Sequence, residues 1–164
     1  MAGTITNRAC YWTNWRGNLN IFGTINTNAA SIFKAGNKLY ISGYDFTGTP
    51  AYAFYLVDIK ITFLPQCINP VIVKCFVSSN GDIHIGATSA LTGILYWKND
   101  ILKYSIGSSN FNDLYVFNDN VYITGHIPGA NPQAFYSKNG NDIYYLPDIG
   151  YEAIGNAIFV KKDN

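Results

Sequence analysis

Ser31-Ile-Phe-Lys-Ala-Gly-Asn-Lys-Leu-Tyr-Ile-Ser-Gly43 is the stretch whose reading decides the fold. Two short runs of Ile, Phe, Leu and Tyr suit a pleated, half-buried surface, and Gly36-Asn37 between them suits the positive-φ geometry of a tight connection. The stretch predicts a β-hairpin. The same hairpin returns as Cys75-Phe-Val-Ser-Ser-Asn-Gly-Asp-Ile-His-Ile-Gly86 and as Leu114-Tyr-Val-Phe-Asn-Asp-Asn-Val-Tyr-Ile-Thr-Gly125. Phe33 to Gly43, Phe76 to Gly86 and Tyr115 to Gly125 each span ten steps, and a fourth copy begins at Ala157-Ile-Phe-Val160.

A second marker keeps the same beat. Aromatic pairs stand at Tyr11-Trp12, Phe54-Tyr55, Tyr96-Trp97 and Phe135-Tyr136, while the closing glycines are Gly3, Gly43, Gly86 and Gly125. A period of about 40 residues fixes an architecture before any local detail does. Each unit divides into four short strands, a to d. Strands a and b form the hairpin, and a polar loop such as Tyr44-Asp-Phe-Thr-Gly-Thr-Pro50 leads to strand c with the aromatic pair. A turn such as Lys138-Asn-Gly-Asn-Asp142 then leads to strand d. Three hairpin links and one longer crossover, repeated, describe the blades of a β-propeller. A β-sandwich also turns every 8 to 12 residues or so, but nothing in it requires the same side chains at the same offsets.

The expected fold is therefore all-β: a single propeller domain over 1–164, with four-stranded repeats of roughly 41 residues at about 3–42, 43–85, 86–124 and 125–164. Met1-Ala-Gly3 matches the tail of a strand b, and the last unit reaches only a strand a. Two readings follow. Strands b, c and d in 1–23 pair with strand a in 156–161 and close a four-bladed ring, or the chain is part of a larger propeller completed by association of copies.

Composition narrows the function classes. Aromatic residues make up 16% of the chain, with 13 Tyr and 10 Phe, which agrees with a strand-rich fold. Only 13% of residues are charged and the net charge is +1, so there is no basic stripe for nucleic acid. No apolar run is long enough for a membrane helix. Cys10, Cys67 and Cys75 are odd in number and lack C-x-x-C spacing, so they indicate neither a disulfide framework nor a zinc site. Cys75 takes the place of Ile32 and Leu114, as a small apolar filler. The first residues lack the charged start and apolar middle of a signal peptide. The compartment stays open.

The matching residues Ser31-Ile-Phe33, Leu39-Tyr-Ile-Ser-Gly43, Val121-Tyr-Ile-Thr-Gly125, Tyr96-Trp-Lys-Asn99 and Phe135-Tyr-Ser-Lys-Asn-Gly140 carry one further likeness. The chain resembles a family of bacterial β-propeller repeats of the type S-I-F-V-S-G-N-D-V-Y-V-A-G followed by A-x-Y-W-K-N-G, kelch- or WD-like in architecture. The resemblance spans nearly the whole chain. It implies the propeller fold and a role as a binding or surface module.

No nucleophile elbow, phosphate loop, dinucleotide fingerprint or HExxH is present. Asp82 and His84 could be cast as carboxylate and base, but His84 holds the slot of Tyr40 and Tyr122, which favours packing. Asp45, Asp58, Asp113, Asp148 and Glu152 leave a paired-carboxylate hydrolase or lyase open as an alternative. Trp12, Tyr55, Trp97 and Tyr136 suit either sugar stacking, as in propeller lectins, or adhesion between blades, and mid-strand aromatics favour adhesion. Residues that differ among the loops are the better candidates for touching a partner, namely Trp15, Tyr44, Asp45, Phe46 and His126. The expected protein is a non-enzymatic module without metal or cofactor, binding a protein or a glycan. Multivalent carbohydrate binding is the main alternative.

Overall fold

The structure is a computed structural model, and it describes residues 1–13, 19–22, 26–58, 60–147 and 151–162. Its strands are β1 (Ala2–Ile5), β2 (Arg8–Trp12), β3 (Leu19–Ile21), β4 (Thr27–Ala35), β5 (Lys38–Asp45), β6 (Tyr52–Val57), β7 (Lys60–Ile68), β8 (Pro70–Val77), β9 (Ile83–Ser89), β10 (Gly93–Lys98), β11 (Ile101–Ile106), β12 (Asn110–Phe117), β13 (Asn120–Ile127), β14 (Gln133–Lys138) and β15 (Asp142–Tyr145). The described residues contain no helix. The strands form four antiparallel up-and-down sheets: β1–β3, β4–β7, β8–β11 and β12–β15, here blades I to IV. This is the all-β, propeller-like arrangement that the repeat requires, with three four-stranded blades and one of three.

The tight turns explain the abundance of Asn. Thr6-Asn7, Asn99-Asp100 and Asn118-Asp119 have positive φ at both residues, the backbone that joins twisted antiparallel strands in two steps, and Asn139-Gly140 has it within a three-residue turn. Asn tolerates it because its short amide bonds locally. Two of these amides also reach across the sheet. Asn99 Oδ1 accepts from the Ile83 amide at 2.9 Å, and Asn139 Oδ1 accepts from the Val121 amide at 2.8 Å. The turn between strands c and d thereby holds the start of strand b.

Gly43 and Gly125 recur for a steric reason. β4 is bulged between Ala29 and Ser31 and β12 between Phe111 and Asp113, and each bulge pushes a carbonyl against the facing glycine. A Cβ on Gly43 would overlap the Asn28 carbonyl oxygen, and one on Gly125 would overlap that of Asn110.

Blade III departs from the beat by one residue. Phe33 pairs with Tyr40 and Tyr115 with Tyr122, seven steps on, but Phe76 pairs with His84, eight steps on. The longer hairpin loop at 78–82 absorbs the extra residue and turns the strand that follows. Ala87, opposite Leu95, now stands where Gly43 faces Phe54 and Gly125 faces Phe135. The side chains that coincide in space are Tyr55, Tyr96 and Tyr136, with Tyr11 in blade I, where Gly3 faces Cys10. Trp97 falls in with Leu56 and Ser137. One tyrosine per strand c is the true repeat, and the aromatic pair approximates it.

Adhesion between blades comes from three apolar cores. The first joins Ala9 to Ala29, Ile41, Phe54 and Leu56 across blades I and II. The second joins Tyr40, Tyr55 and Leu64 to Val73, Cys75, Ile85, Leu95 and Trp97 across II and III. The third joins Ile94 and Tyr96 to Phe111, Leu114, Ile123 and Phe135 across III and IV. Polar contacts cross the same seams: Ala9 N donates to Thr27 Oγ1 at 2.9 Å, Ser42 Oγ to the Val73 carbonyl at 3.1 Å, and Phe111 N to Thr88 Oγ1 at 2.7 Å. Lys74 pairs with Asp113 at 3.1 Å.

Among the described residues the two ends share no sheet, contrary to the first of the two sequence readings, in which 156–161 pairs with the strands of 1–23. β1 is the edge of its sheet, with no described strand paired outside it. Residues 151–162 run instead along blade IV: Ala153 N donates to the Pro132 carbonyl at 2.8 Å, and Ile158 N to Asp113 Oδ2 at 3.1 Å. Phe159 lies on Tyr115, with 5.0 Å between ring centroids. The periodicity explains this, because Phe33 lies on Phe76 at 5.0 Å and Phe76 on Tyr115 at 5.2 Å. Phe159 takes the next place in that row, in a segment that forms no strand of its own.

Gly43→Ala and Gly125→Ala are each expected to destabilise by about 2 kcal/mol or more, the range of overpacking against an unyielding neighbour. Gly129→Ala, into open space, should change stability by less than about 0.5 kcal/mol. Urea unfolding of the three variants checks the contrast.

Candidate functional site

Each blade sends its b–c loop and its d–a crossover to one end of the molecule. At the seam of blades I and II, that end carries a concavity of about 240 Å³ lined by Thr4, Asn7, Asn26, Thr27, Asn28 and Phe46. Asn7 and Asn26 present their side chains there from left-handed turns, at φ 58° and 71°. Backbone bonds hold the rim: Thr27 N donates to the Asn7 carbonyl at 3.1 Å and Phe46 N to the Asn26 carbonyl at 2.8 Å.

The loop candidates separate into distinct roles. Phe46 is 49% exposed, and its ring meets Tyr44 edge-on at 4.9 Å. Tyr44 is half-buried, and its hydroxyl accepts from Asn28 Nδ2 at 2.9 Å, while Asn28 Oδ1 accepts from Thr4 Oγ1 at 2.6 Å. Tyr44 therefore supports Phe46 and joins it to the floor of the concavity. Asp45 turns back on its own loop and accepts from the Thr47 amide and hydroxyl at 2.7 and 2.6 Å. Trp15 lies outside the described residues.

His126 occupies in blade IV the position of Tyr44 in blade II. Asn28 pairs with Tyr44 and Asn110 with His126, in the same register beside the two constrained glycines. Asn110 Nδ2 lies 3.1 Å from His126 Nε2. His126 Nδ1 is buried without a hydrogen-bond partner among the described residues. His126 is half-buried, and it sits some 80 residues along the chain from Tyr44, two blades away.

Sequence reasoning placed the loop and missed the asparagines. Asn28 and Asn110 both stand five residues before the strand-a aromatic, Phe33 and Tyr115. That recurrence was a legible signal. Asn7 and Asn26 carried none, because only the packing of blade I on blade II brings them together.

The other candidates resolve into structure. His84 is 3% exposed, with Nδ1 at 2.7 Å from the Tyr96 hydroxyl and Nε2 at 3.1 Å from Ser78 Oγ. Asp82 turns to Lys98 at 2.7 Å, to Asn99 at 2.7 Å and to Asn80 at 3.0 Å. Its carboxyl is held down at about 2, chiefly by the bonds from Lys98 and Asn99. Asp113 serves Lys74 and Ile158 as above. Asp148 lies outside the described residues.

Tyr55 and Trp97 are buried between blades II and III, which is the adhesive role, and Tyr136 stacks on Tyr144 at 4.8 Å. The Tyr55 hydroxyl donates to Asp100 of blade III at 2.5 Å, and burial, with that carboxylate beside it, pushes its pKa up to about 12. The three cysteines are buried. Burial raises the Cys67 thiol to about 12 and the Cys75 thiol to about 11, so neither is a nucleophile near neutral pH. Among the described residues, no three His, Cys, Asp or Glu side chains gather as metal ligands.

No protein-family model matches the chain, and no curated protein matches it either.

His84 yields a pH prediction. Burial, with a smaller contribution from Lys98, lowers its pKa from 6.5 to about 4. Between those values the unfolded chain binds a proton that the folded one does not, so the stability is full above about pH 6.5 and is lost as pH falls through 4. The total is about 3 kcal/mol. Asp82 acts in a lower window, its contribution present above 3.8 and lost toward 2. Denaturant unfolding at pH 7, 5.5 and 4 should show this decline, and His84→Tyr, which copies the slot's other occupants, should flatten it.

Proposed function

We propose that this chain is a non-enzymatic binding module whose b–c loop face takes up an uncharged glycan or protein partner at the seam of blades I and II. The observation that carries the reading is Phe46, an exposed ring braced by Tyr44 beside a floor of Asn and Thr. An aromatic face buries apolar area and fixes orientation, while amides and hydroxyls around it supply hydrogen bonds in both directions. Sparse charge fits a partner held by stacking and hydrogen bonding, with little electrostatic steering. The repeat resemblance to surface modules points the same way.

One observation favours the carbohydrate-binding alternative. The Asn–ring pair occurs twice, as Asn28 with Tyr44 and as Asn110 with His126, and repeated weak sites gain strength through avidity. A hydrolase or lyase would need two carboxyl groups facing one substrate. Of the five carboxylates in question, Asp45 and Asp113 are engaged with Thr47 and Lys74.

A glycan array followed by calorimetric titration tests the reading. Saturable binding is expected, and Phe46→Ala should weaken it tenfold or more with an unchanged melting temperature. Stoichiometry near one site per chain supports the single seam, and two sites support the repeated pair. Binding that survives Phe46→Ala undiminished removes this face from consideration.

A further inference from the structure

Four blades share three cores, and the two outward faces left over are built to be covered. In blade I, alternation along the strands puts Met1, Ile5, Leu19 and Ile21 on the side away from blade II. All four are exposed, Met1 at 77% and Ile21 at 47%. In blade IV the opposite side carries Tyr115, Tyr122, Tyr136 and Tyr144. Their counterparts in blade III, namely Phe76, His84, Tyr96 and Tyr104, are packed against blade IV. Phe159 lies on Tyr115 beyond them and is itself 72% exposed.

Each half of a fourth seam is present. β1 has no described strand paired outside it, where every other strand b carries a strand a, and residues 155–160 lie along blade IV without pairing to any described strand. We infer that a second copy of this chain supplies what is missing: residues 155–160 of one copy add to β1 of another, and its blade IV covers the other's blade I.

The register follows from the repeat. Ile32 faces Ile41, Ser31 faces Ser42 and Ala29 faces Gly43 across blade II. With Ile158 at the place of Ile32 and Gly3 at that of Gly43, Ile158 meets Met1, Ala157 meets Ala2 and Gly155 meets Gly3. Small residues fall where the bulge crowds. A strand-a aromatic leans on the strand a of the next blade, so Phe159 would lean on Phe33 of the second copy. A cavity of about 670 Å³ already lies there, between Met1, Tyr11 and Trp12 of blade I and Ile32, Lys34 and Leu39 of blade II. The row Phe33, Phe76, Tyr115, Phe159 then runs on into Phe33 of the next copy without a break.

The contact is head-to-tail, so it either closes or grows without limit. Two copies of the four blades described here make eight, within the roughly four to eight typical of propellers, so the closed form inferred is a two-copy ring. It is independent of what the loop face binds.

Cross-linking distinguishes the routes. Ala2→Cys with Ala157→Cys, oxidised, should give a covalent species of twice the 18.2 kDa chain, since the native thiols are buried. A bridge formed within one chain instead means that the four blades close on themselves, and overturns the inference. Light scattering of the unaltered protein should give the doubled mass, and a monomer at micromolar concentration overturns it too. Phe159→Asp and Ile21→Asp should each raise the dimer dissociation constant tenfold or more. Mixed together, they should regain a 1:1 complex through the one seam that neither variant damages. Failure of the mixture to associate, with both variants folded by circular dichroism, sinks the head-to-tail geometry.

Discussion

Phe33 on Phe76 and Phe76 on Tyr115, about 5 Å apart at each step, mark the constraint that governs the chain. A four-stranded sheet with apolar side chains on both sides cannot remain single in water. It has to be covered twice, and another copy of itself is the nearest complementary surface. Fully burying one aliphatic or aromatic side chain is worth about 1.5–3 kcal/mol, and each seam buries several. Hydrogen bonds cross the seams too, but they mostly satisfy groups that burial would otherwise strand.

Local chemistry serves that stacking. The bulges in β4 and β12 bend strand a where it starts, and Gly43 and Gly125 are the residues that let the bent backbone come close. The short Asn turns, through Asn99 and Asn139, tie the outer hairpin back to strand b. Turn chemistry, register and core all favour one arrangement, which is the consistency that lets a sequence specify a structure.

Much of this was legible in the residues. Hairpins, blade number and strand order followed from two markers at a fixed spacing, and Cys75 and His84 were read correctly as occupants of apolar and aromatic slots. The phase of blade III was not legible. Leu95, Tyr96 and Trp97 are all apolar, so a slip of one residue leaves the pattern looking intact, and only the pairing of Phe76 with His84 reveals it. The concavity beside Phe46 was half legible. Its aromatic rim lies in one loop, but its Asn and Thr floor comes from two separate segments, around Thr4 to Asn7 and at Asn26 to Asn28, and exists only once two blades meet. The course of residues 151–162 depended on whether strand a pairs sideways or packs forward, and sequence periodicity allows both.

The three-core arrangement has a thermodynamic corollary. In a linear array, each unit is held by its immediate neighbours, so cooperativity decays from the centre outward. Blades II and III, bounded on both sides, should keep their amides protected until the molecule unfolds as a whole. β1 and β15 have less to hold them and should exchange through local opening. Joining the two ends would abolish that gradient, because a closed loop has no terminus from which fraying can begin.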